Sequence, residues 1–338
     1  MKAVVVSEFG GPEVLQLADV PVPQPGPRDV LVRTEIAAVN FADVKRRRGE
    51  VPAHGSGLGS ATTFIPGIEV TGVVADHGTA VTCVRTGERV SALMAAGGYA
   101  EYALADDSVV IPVPETMSGT QAGAFPVVAL TAYLALVEAA RVRPGESLLV
   151  TSAAGGVGSV AVQIGRLLGL AVVIGAVGSA RKVADVRERG ASFVVDYGTA
   201  DLTAAVREIT AGRGVDIVLD ARGGAVRAAA LSALAPLGRL VHFGNSSDEP
   251  EPQWSPSQMR ELPGGSLGFS LRRYRQDRPD LIAAAARQLV KWMTAGELVV
   301  PVASEMPLDE VAHAHELLET GDVVGKLLLR VSGPRQQS

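Results

Sequence analysis

A turn between an apolar strand and an amphipathic helix carries the residues best suited to binding a phosphate. The turn consists of Ala154, Gly155, Gly156, Val157 and Gly158. Gly155 lets the chain reverse tightly after the strand, and Gly158 lets the helix pack close to the sheet. Since the first helical turn leaves N–H groups unpaired at the positive end of the helix dipole, a pyrophosphate can bind there. Glycine turns of this kind also occur in parallel sheets that bind no nucleotide.

The residues after the next strand favour one dinucleotide over another. Residues 171 to 176 are apolar and predict the second strand of a βαβ unit. NAD-preferring sites place an acidic residue after this strand, where it binds the adenosine ribose. This chain instead has Ser179, Arg181 and Lys182 there, a hydroxyl and two cations suited to a 2′-phosphate. The pattern therefore favours NADPH, although a solvated helix start would also explain the two cations.

The elements that must position these residues change type along the chain. Short apolar runs separated by Gly, Pro and Asp fill the first 120 or so residues and predict a small β-barrel-like domain. The spacing is helical from Thr120 through Ala140, and strands then alternate with helices as far as about Gly244. Alternation of this kind predicts an α/β fold with a doubly wound parallel sheet and right-handed crossovers.

Composition excludes several classes of protein. The chain has 338 residues, which suggests two domains, and its net charge of −5 argues against general nucleic-acid binding. No apolar stretch approaches the roughly 18 residues of a membrane-spanning helix, and the N-terminus has no signal-peptide pattern. The single cysteine, Cys83, excludes an internal disulfide framework and a cysteine-built zinc site. We therefore expect a cytoplasmic protein.

Several motifs together resemble those of a known family. They are the opening residues 1–15, Ala38-Val39-Asn40-Phe41-Ala42-Asp43, Pro66-Gly67-Ile68-Glu69-Val70-Thr71-Gly72, Gly97-Gly98-Tyr99-Ala100-Glu101-Tyr102, Leu130-Thr131-Ala132-Tyr133, the glycine turn and Gly325-Lys326-Leu327. With these motifs the chain resembles, over nearly its whole length, the zinc-free quinone oxidoreductase branch of the medium-chain dehydrogenase/reductase superfamily.

The resemblance implies a two-domain architecture and an assembly. It implies a GroES-like β-barrel catalytic domain in residues 1–122, a Rossmann NADPH-binding domain in residues 123–265, and a segment, residues 266–338, that returns to the catalytic domain. It further implies an active site in the cleft between the domains and commonly a homodimer.

The resemblance also bears on metal binding. Zinc-dependent relatives carry a cysteine where this chain has Asn40, and a histidine where it has Ile68 before Glu69. The four-cysteine lobe that binds a structural zinc in those relatives has no counterpart here. Because one glutamate cannot supply three or four zinc ligands, we expect no metal.

Without a metal, a conjugated acceptor is easier to reduce than an isolated carbonyl. Hydride added to a quinone or an α,β-unsaturated carbonyl leaves a charge that spreads into a phenolate or enolate, which needs only hydrogen-bond donors and a proton. We therefore predict direct hydride transfer from NADPH to such a small molecule, with no flavin. Two alternatives stay open: an enoyl-thioester reductase of a biosynthetic pathway, and a non-catalytic NADPH-binding protein.

Three residues are the candidates for the chemistry. The resemblance places Asn40 beside the nicotinamide, where its amide would hold the ring or donate to the substrate oxygen; capping of the following helix is the alternative. Thr131 resembles the family threonine that lies against the nicotinamide, and the alternative is a hydroxyl bonded to its own helix. Lys45 stands where many quinone reductases have tyrosine. It would orient an anionic acceptor or protonate the enolate, or else belong to a solvated basic helix face with Arg46, Arg47 and Arg48.

The remaining predicted cofactor contacts come from the same resemblance. They are Tyr197 near the adenosine phosphate, Phe243, Gly244 and Asn245 over the nicotinamide ribose, Phe269 and Ser270 near the nicotinamide and across a dimer, and Lys326 at the phosphates. Each also has a packing explanation, and Phe243 and Phe269 would by default be core aromatics. The Gly- and Ser-rich loop from Glu50 to Thr63 would be a lid over a bulky acceptor or have no role.

Overall fold

The computed structural model describes residues 1–50 and 63–331, so all but the two ends of the predicted loop from Glu50 to Thr63 lies outside the described residues. The chain divides into two compact units. The first unit contains Met1–Val127 and Arg272–Ser338, and the second contains Val128–Leu271. The resemblance implied boundaries at residues 122 and 265.

The strands are β1 (Lys2–Val5), β2 (Gln16–Asp19), β3 (Asp29–Val39), β4 (Glu69–His77), β5 (Arg89–Leu93), β6 (Tyr102–Asp106), β7 (Val110–Pro112), β8 (Ser147–Val150), β9 (Val172–Val177), β10 (Phe193–Asp196), β11 (Val215–Asp220), β12 (Leu234–His242), β13 (Gly265–Gly268), β14 (Val302–Pro307) and β15 (Lys326–Arg330). The α-helices are α1 (Phe41–Arg47), α2 (Gly119–Ala124), α3 (Pro126–Leu134), α4 (Gly156–Leu167), α5 (Val183–Glu188), α6 (Leu202–Ile209), α7 (Gly224–Ser232), α8 (Pro256–Glu261), α9 (Leu271–Asp277), α10 (Pro279–Thr294) and α11 (Val311–Glu319).

The first unit is built on a sheet in the order β14-β15-β3-β4-β5-β7, with β6 also paired to β3. The long strand β3 is its centre, because β15, β4 and β6 all pair with it in antiparallel register. The last strand of the chain, β15, belongs to this sheet, and its Leu327 lies opposite Val39 of β3. Val32, Ala37, Val39, Leu327 and Leu329 contribute to one buried apolar core.

The second unit is a six-stranded parallel sheet in the order β10-β9-β8-β11-β12-β13. This order confirms the predicted doubly wound sheet. The strand order reverses between β8 and β11, which is where open sheets of this type bind ligands at the carboxyl ends of their strands. The central strand β8 is buried along its whole length, which explains its continuous apolar sequence.

Two predicted elements differ from the structure. The single helical segment from Thr120 to Ala140 is divided at Pro126, because proline has no N–H to continue the helix of α2. Residues 99–103 are one of the short apolar runs of the predicted β domain, but the strand there, β6, begins three residues later, because Tyr99 donates its N–H to the carbonyl of Pro66. Within the described residues, no helix combines the length and the apolar composition needed to cross a bilayer.

Candidate active site

Three buried polar side chains meet at the centre of the first unit. The Lys326 ammonium donates to Glu69 Oε1 at 2.9 Å, to Asn40 Oδ1 at 2.7 Å and to the Val39 carbonyl at 3.1 Å. Glu69 is 0% exposed and Lys326 3% exposed, so the ion pair is shielded from water. These three bonds use all three N–H groups of the ammonium. The Lys326 ammonium therefore has no N–H group left for the predicted contact with the cofactor phosphates.

The sheet brings this group together from distant parts of the chain. Asn40 directly follows β3, Glu69 is the first residue of β4, and Lys326 is the first residue of β15. β4 and β15 pair with β3 on its two sides, and both begin at the carboxyl end of β3. The first side chains of these two strands are therefore close to each other. The second carboxylate oxygen of Glu69 accepts the backbone N–H of Val127 at 2.7 Å. Both oxygens of this buried carboxylate are thus satisfied.

The partners of Asn40 determine which way its amide is turned. Its Nδ2 donates to Glu69 Oε1 at 2.9 Å and to the Ala38 carbonyl at 3.2 Å, while its Oδ1 accepts from the Lys326 ammonium. An ammonium has no lone pair, so the amide atom that faces it must be the oxygen. Both amide hydrogens are then occupied, and Oδ1 faces the ammonium.

Asn40 also stands at the start of helix α1, as the alternative interpretation expected. It is the N-cap residue by position, and Asp43 accepts its backbone N–H at 3.1 Å. The side-chain contacts described above nevertheless join Asn40 to the ion pair. The residue therefore connects the helix start with the Glu69–Lys326 pair, and Glu69 and Asp43 are buried partners that were not among the predicted site residues.

A second buried network runs from Asp43 to α11. The Tyr99 hydroxyl donates to Asp43 Oδ2 at 3.2 Å and lies 3.3 Å from His315 Nε2, while the Arg47 guanidinium lies 3.4 Å from His315 Nδ1. Since arginine can only donate, Nδ1 is the acceptor and Nε2 carries the proton that is directed at Tyr99. Burial raises the pKa of the Tyr99 phenol well above its usual range, and the neighbouring Asp43 adds to this. Burial, assisted by Arg47, lowers the pKa of His315 to about 3.

The basic residues of α1 are not a solvated face. The Arg47 side chain is 1% exposed and pairs with Glu319 at 2.7 Å, and Arg46 donates to the Ala95 carbonyl at 2.6 Å from a buried position. That alternative is therefore wrong for these two arginines, because tertiary contacts cover them. Lys45 is partly exposed, pairs with Glu50 Oε2 at 3.0 Å and lies 5.8 Å from the centre of the Phe41 ring.

In the second unit the glycine turn lies between β8 and α4, and its geometry differs from the expectation in one detail. A Cβ on Gly158 would lie 2.3 Å from the Ser152 carbonyl oxygen, so only glycine allows this approach of helix to strand. The tight reversal itself is made by Ser152, which has a φ of 50°, whereas Gly155 has an ordinary φ of −74° and donates its N–H to Ser152 O at 2.9 Å. The backbone conformation at position 155 therefore does not require a glycine.

The cradle offers donors to an anion. In the part of the chain that the structure describes, the first-turn N–H groups of Gly156, Val157 and Gly158 have no backbone acceptor. Ser159 is the first residue of the helix whose N–H has a backbone acceptor, the Gly155 carbonyl at 2.9 Å. With the dipole of the twelve-residue helix α4 behind them, these groups form a site of the type that binds phosphate.

The predicted adenosine-side residues lie at the carboxyl ends of β9 and β10. Ser179 follows β9 and precedes a short helical turn that contains Arg181 and Lys182. Tyr197 follows β10, donates its N–H to the Val177 carbonyl at 2.9 Å, and places its ring beside Gly178, where an added Cβ would lie 3.1 Å from the hydroxyl. Burial raises the pKa of this half-buried phenol, and the positive charge of Arg222 opposes the rise.

Thr131 lies on α3 and is 5% exposed. Among the described residues its hydroxyl makes no hydrogen bond, so the alternative in which it bonds to its own helix is not observed. By contrast, the Thr210 hydroxyl does bond to the carbonyl four residues earlier, at 2.7 Å. A hydroxyl without a partner in the described residues is a group that a ligand can use.

The segment after β12 is held by a buried ion pair. Arg227 donates to Asp220 Oδ2 at 2.6 Å and also to the Gly244 carbonyl, while Thr151 donates to Asp220 Oδ1 at 2.6 Å. This connects the ends of β8, β11 and β12, which is the edge where a dinucleotide would bind. Asp220 and Arg227 were missed from the sequence, although an acid that ends a buried apolar strand is the signal that could have found them.

The other predicted residues on this edge have internal partners. Asn245 accepts from the Ser247 hydroxyl at 2.8 Å and donates to the Glu249 carbonyl at 3.0 Å, which shapes the loop. The half-buried Phe243 donates its N–H to the Asp220 carbonyl at 3.1 Å. Phe269 is buried, as its packing explanation expected, and Ser270 follows it.

We expect the buried neutral His315 to make folding stability sensitive to acid. Because its pKa is about 3 in the folded protein and about 6.5 when unfolded, the unfolded chain takes up a proton first as the pH falls. Below about pH 6.5 the free energy of unfolding should fall by up to about 1.4 kcal/mol per pH unit from this residue. Urea unfolding of wild type and His315→Gln between about pH 7 and pH 5 measures the difference in slope.

The control for this experiment is His313→Gln, because His313 lies on the same helix but is exposed. Its slope should match that of the wild type. Equal slopes for wild type and His315→Gln would contradict the assignment of His315 as the acid-sensitive group.

Two family models match this chain. The alcohol dehydrogenase GroES-like domain matches residues 26–115, and the zinc-binding dehydrogenase domain matches residues 189–329. Despite the second name, the residues at the positions compared above do not suit zinc, because they are Asn40, Ile68 and a Glu69 already paired with Lys326. In residues 1–50 and 63–331 no three His, Cys, Asp or Glu side chains are grouped so that they could hold a metal ion.

Whole-chain comparisons give similar proteins of the same length. The chain is 33% identical to the quinone oxidoreductase of Homo sapiens over 333 residues, which cover 97% of each chain. Its structure resembles that of mycobacterial Rv1454c complexed with NADPH, with a TM-score of 0.89, 32% identity, and coverage of 98% of this chain and 100% of that one. It also resembles the Escherichia coli quinone oxidoreductase complexed with NADPH, with a TM-score of 0.88, 28% identity and the same coverage.

Proposed function

We propose that this chain, which belongs to the quinone oxidoreductase branch of the medium-chain dehydrogenase/reductase superfamily, transfers a hydride from NADPH directly to a quinone or an α,β-unsaturated carbonyl. Membership of this branch makes it an oxidoreductase. The observation that carries the proposal is the anion cradle at the start of α4, where Gly158 permits the close approach and three N–H groups are available. The two similar structures that contain NADPH support the choice of dinucleotide.

The residues of the second unit suit NADPH. The N–H groups of the cradle would hold the pyrophosphate, and Ser179, Arg181 and Lys182 would bind the 2′-phosphate at the end of β9. No carboxylate follows β9 to repel that phosphate. Arg222, whose charge acts on Tyr197 at the same edge, adds a cation to this region.

The residues of the first unit suit a conjugated acceptor. NADPH would supply the hydride, and the acceptor would disperse the resulting charge into a phenolate or enolate. The donor set around Glu69 does not suit a Lewis-acid metal, so an isolated carbonyl would lack a strong polarising group. The unoccupied hydroxyl of Thr131, in the second unit, is available to bind a polar group of the cofactor or the acceptor.

The test of this function is a screen of acceptors by the absorbance of NADPH at 340 nm. We expect oxidation of NADPH with quinones or enones and little with enoyl thioesters. Preferential activity with enoyl thioesters would assign the chain to the alternative reductase class. Tight NADPH binding with no oxidation by any acceptor would instead indicate a non-catalytic binding protein and overturn the proposal.

We expect cofactor preference to depend on the residues after β9. Replacing Arg181 and Lys182 together by alanine removes charge-assisted bonds of about 1.5–3 kcal/mol, so the KM for NADPH should rise roughly 10- to 100-fold. The KM for NADH should hardly change, because NADH has no 2′-phosphate. Arg187→Ala, an exposed cation on α5, is the control and should leave both constants unaltered. An equal rise in the KM for NADPH and the KM for NADH would contradict the assignment of Arg181 and Lys182 to the 2′-phosphate.

The second unit also suits a homodimer. In the described sheet β13 is an edge strand that pairs only with β12, and its Leu267 is 42% exposed. An edge strand with an exposed apolar side chain is a site for pairing with another chain. We therefore infer that two copies associate through β13.

Sedimentation equilibrium tests the dimer. The wild type should have about twice the 34.9 kDa mass of the chain, and Leu267→Glu should shift the equilibrium to the monomer. Leu17→Glu is the matched control, because Leu17 is 47% exposed but lies on β2. A wild-type monomer, or a Leu267→Glu dimer as stable as the wild type, would refute this interface.

A further inference from the structure

We propose that the first unit contains an oxyanion-binding site formed by Arg46, Arg272 and Arg275, which we call the arginine cluster. Its ligand is a small oxyanion, that is, a carboxylate, sulfonate or phosphate group with two or more acceptor oxygens. The site is separate from the anion cradle of α4, because all three arginines belong to the first unit and the cradle belongs to the second.

Arg46 carries a buried guanidinium with most of its donors unused. The residue is 6% exposed, and its Nη1 donates to the Ala95 carbonyl at 2.6 Å. Its Nε is buried and, among the described residues, has no acceptor. A guanidinium has five N–H donors, and a buried donor without an acceptor costs free energy. One hydrogen bond therefore fixes the position of Arg46, and the side chain keeps the capacity to bind a further acceptor.

Arg275 lies on α9, three residues after Arg272, and residues at this spacing share one face of a helix. Arg275 is half-buried and Arg272 is exposed, and in residues 1–50 and 63–331 neither guanidinium has a hydrogen bond or an ion pair. By contrast, Arg273, on a different face of the same helix, pairs with Asp277 at 3.6 Å. Two cations without counterions thus lie together on α9.

The three cations are near enough to act on one another. Burial lowers the pKa of the Arg275 guanidinium, and the positive charges of Arg46 and Arg272 lower it further. The Asp106 carboxylate opposes this shift, but its hydrogen bonds go to the Ser108 N–H and hydroxyl. Bringing like charges together opposes folding, and an anion bound among them would offset the repulsion.

Neither the described residues nor the rest of the sequence supplies a carboxylate side chain that pairs with these arginines. Asp43, whose pKa is lowered by the charge of Arg46 and raised more strongly by burial, already accepts two backbone N–H groups and a phenol hydroxyl. Residues 51–62 and 332–338, outside the described residues, contain no Asp or Glu. The chain has 36 acidic and 31 basic side chains, so carboxylates are not scarce. An external anion is therefore the partner that fits.

The chemistry of arginine selects the class of this anion. A guanidinium is a planar fork that donates two parallel hydrogen bonds to a carboxylate or a phosphate. Several such forks suit a group with several oxygens. Two sources supply such a group, a free oxyanion in solution and an acidic substituent on the hydride acceptor. The second source rests on the proposed function, and the first does not.

The first arm of the test measures the binding of inorganic phosphate without turnover. The protein is saturated with NADP⁺, so that the cradle of α4 is already occupied, and the dissociation constant is obtained from the rise in melting temperature with phosphate at constant ionic strength. Arg275→Gln and Arg46→Gln should each weaken binding roughly 10- to 100-fold, because charge-assisted hydrogen bonds are lost. Arg273→Gln is the matched control on α9 and should leave the constant unchanged.

Melting temperatures without phosphate separate binding from support of the fold. In chloride buffer Arg275→Gln should melt at the same temperature as the wild type or higher, because it removes repulsion and no hydrogen bond. A lower melting temperature would assign Arg275 a structural role and overturn the proposal. Arg46→Gln loses the bond to Ala95, so its folding is checked by near-UV circular dichroism.

The second arm identifies the source of the oxyanion. The KM for 1,4-naphthoquinone-2-sulfonate is compared with the KM for 1,4-naphthoquinone, in the wild type and in Arg275→Gln. If the anion belongs to the acceptor, the wild type should have the lower KM for the sulfonate, and the variant should lose this preference. If the anion is free, the variant should lose phosphate binding while the ratio of the two KM values stays unchanged.

The remaining outcomes contradict one proposal or the other. The arginine cluster is not a binding site if both variants are folded and keep the phosphate affinity and the KM ratio of the wild type. The same conclusion follows if the wild type neither binds phosphate nor prefers the sulfonate. Loss of phosphate binding in Arg275→Gln, in a protein that oxidises NADPH with no acceptor, would overturn the proposed function and leave this inference intact.

Discussion

The buried ion pair between Lys326 and Glu69 is the interaction on which the first unit is organised. It joins β4 and β15 across the end of β3, and Asn40 bridges the two charges. Burying two charges is costly unless their hydrogen bonds are complete, and here the ammonium has three acceptors and the carboxylate has a further donor in Val127. A cation held by protein atoms thus occupies the region where the resemblance places a metal in zinc-dependent relatives.

The same principle governs the network around α1. Hydrogen bonds among Asp43, Tyr99, His315 and Arg47 connect α1 to α11, and each donor in this series meets an acceptor. The series gives His315 a single tautomer and a neutral charge, because Arg47 occupies one ring nitrogen and burial disfavours the imidazolium. Helix α1, and with it Asn40, is therefore held from both of its ends.

The second unit uses a buried pair for a different purpose. Asp220 and Arg227 tie together the carboxyl ends of three parallel strands, and Arg227 also holds the carbonyl of Gly244. The glycine cradle of α4 lies at the same edge of this sheet, so the anion site and the loop after β12 share one rigid support.

Local sequence patterns predicted the elements of this protein, and the tertiary structure decided their polar partners. The alternation of strands and helices and the glycine turn were predicted, because period and composition are properties of neighbouring residues. The return of the C-terminal segment was expected only from the resemblance. The division at Pro126 and the left-handed Ser152 were missed, the first because the apolar spacing continues across the proline. Lys326 was expected at a phosphate and is bound to Glu69; Arg46 and Arg47 were considered as a solvated face and are buried. These outcomes depend on contacts between residues more than 40 and up to 290 positions apart, which only the folded chain brings together.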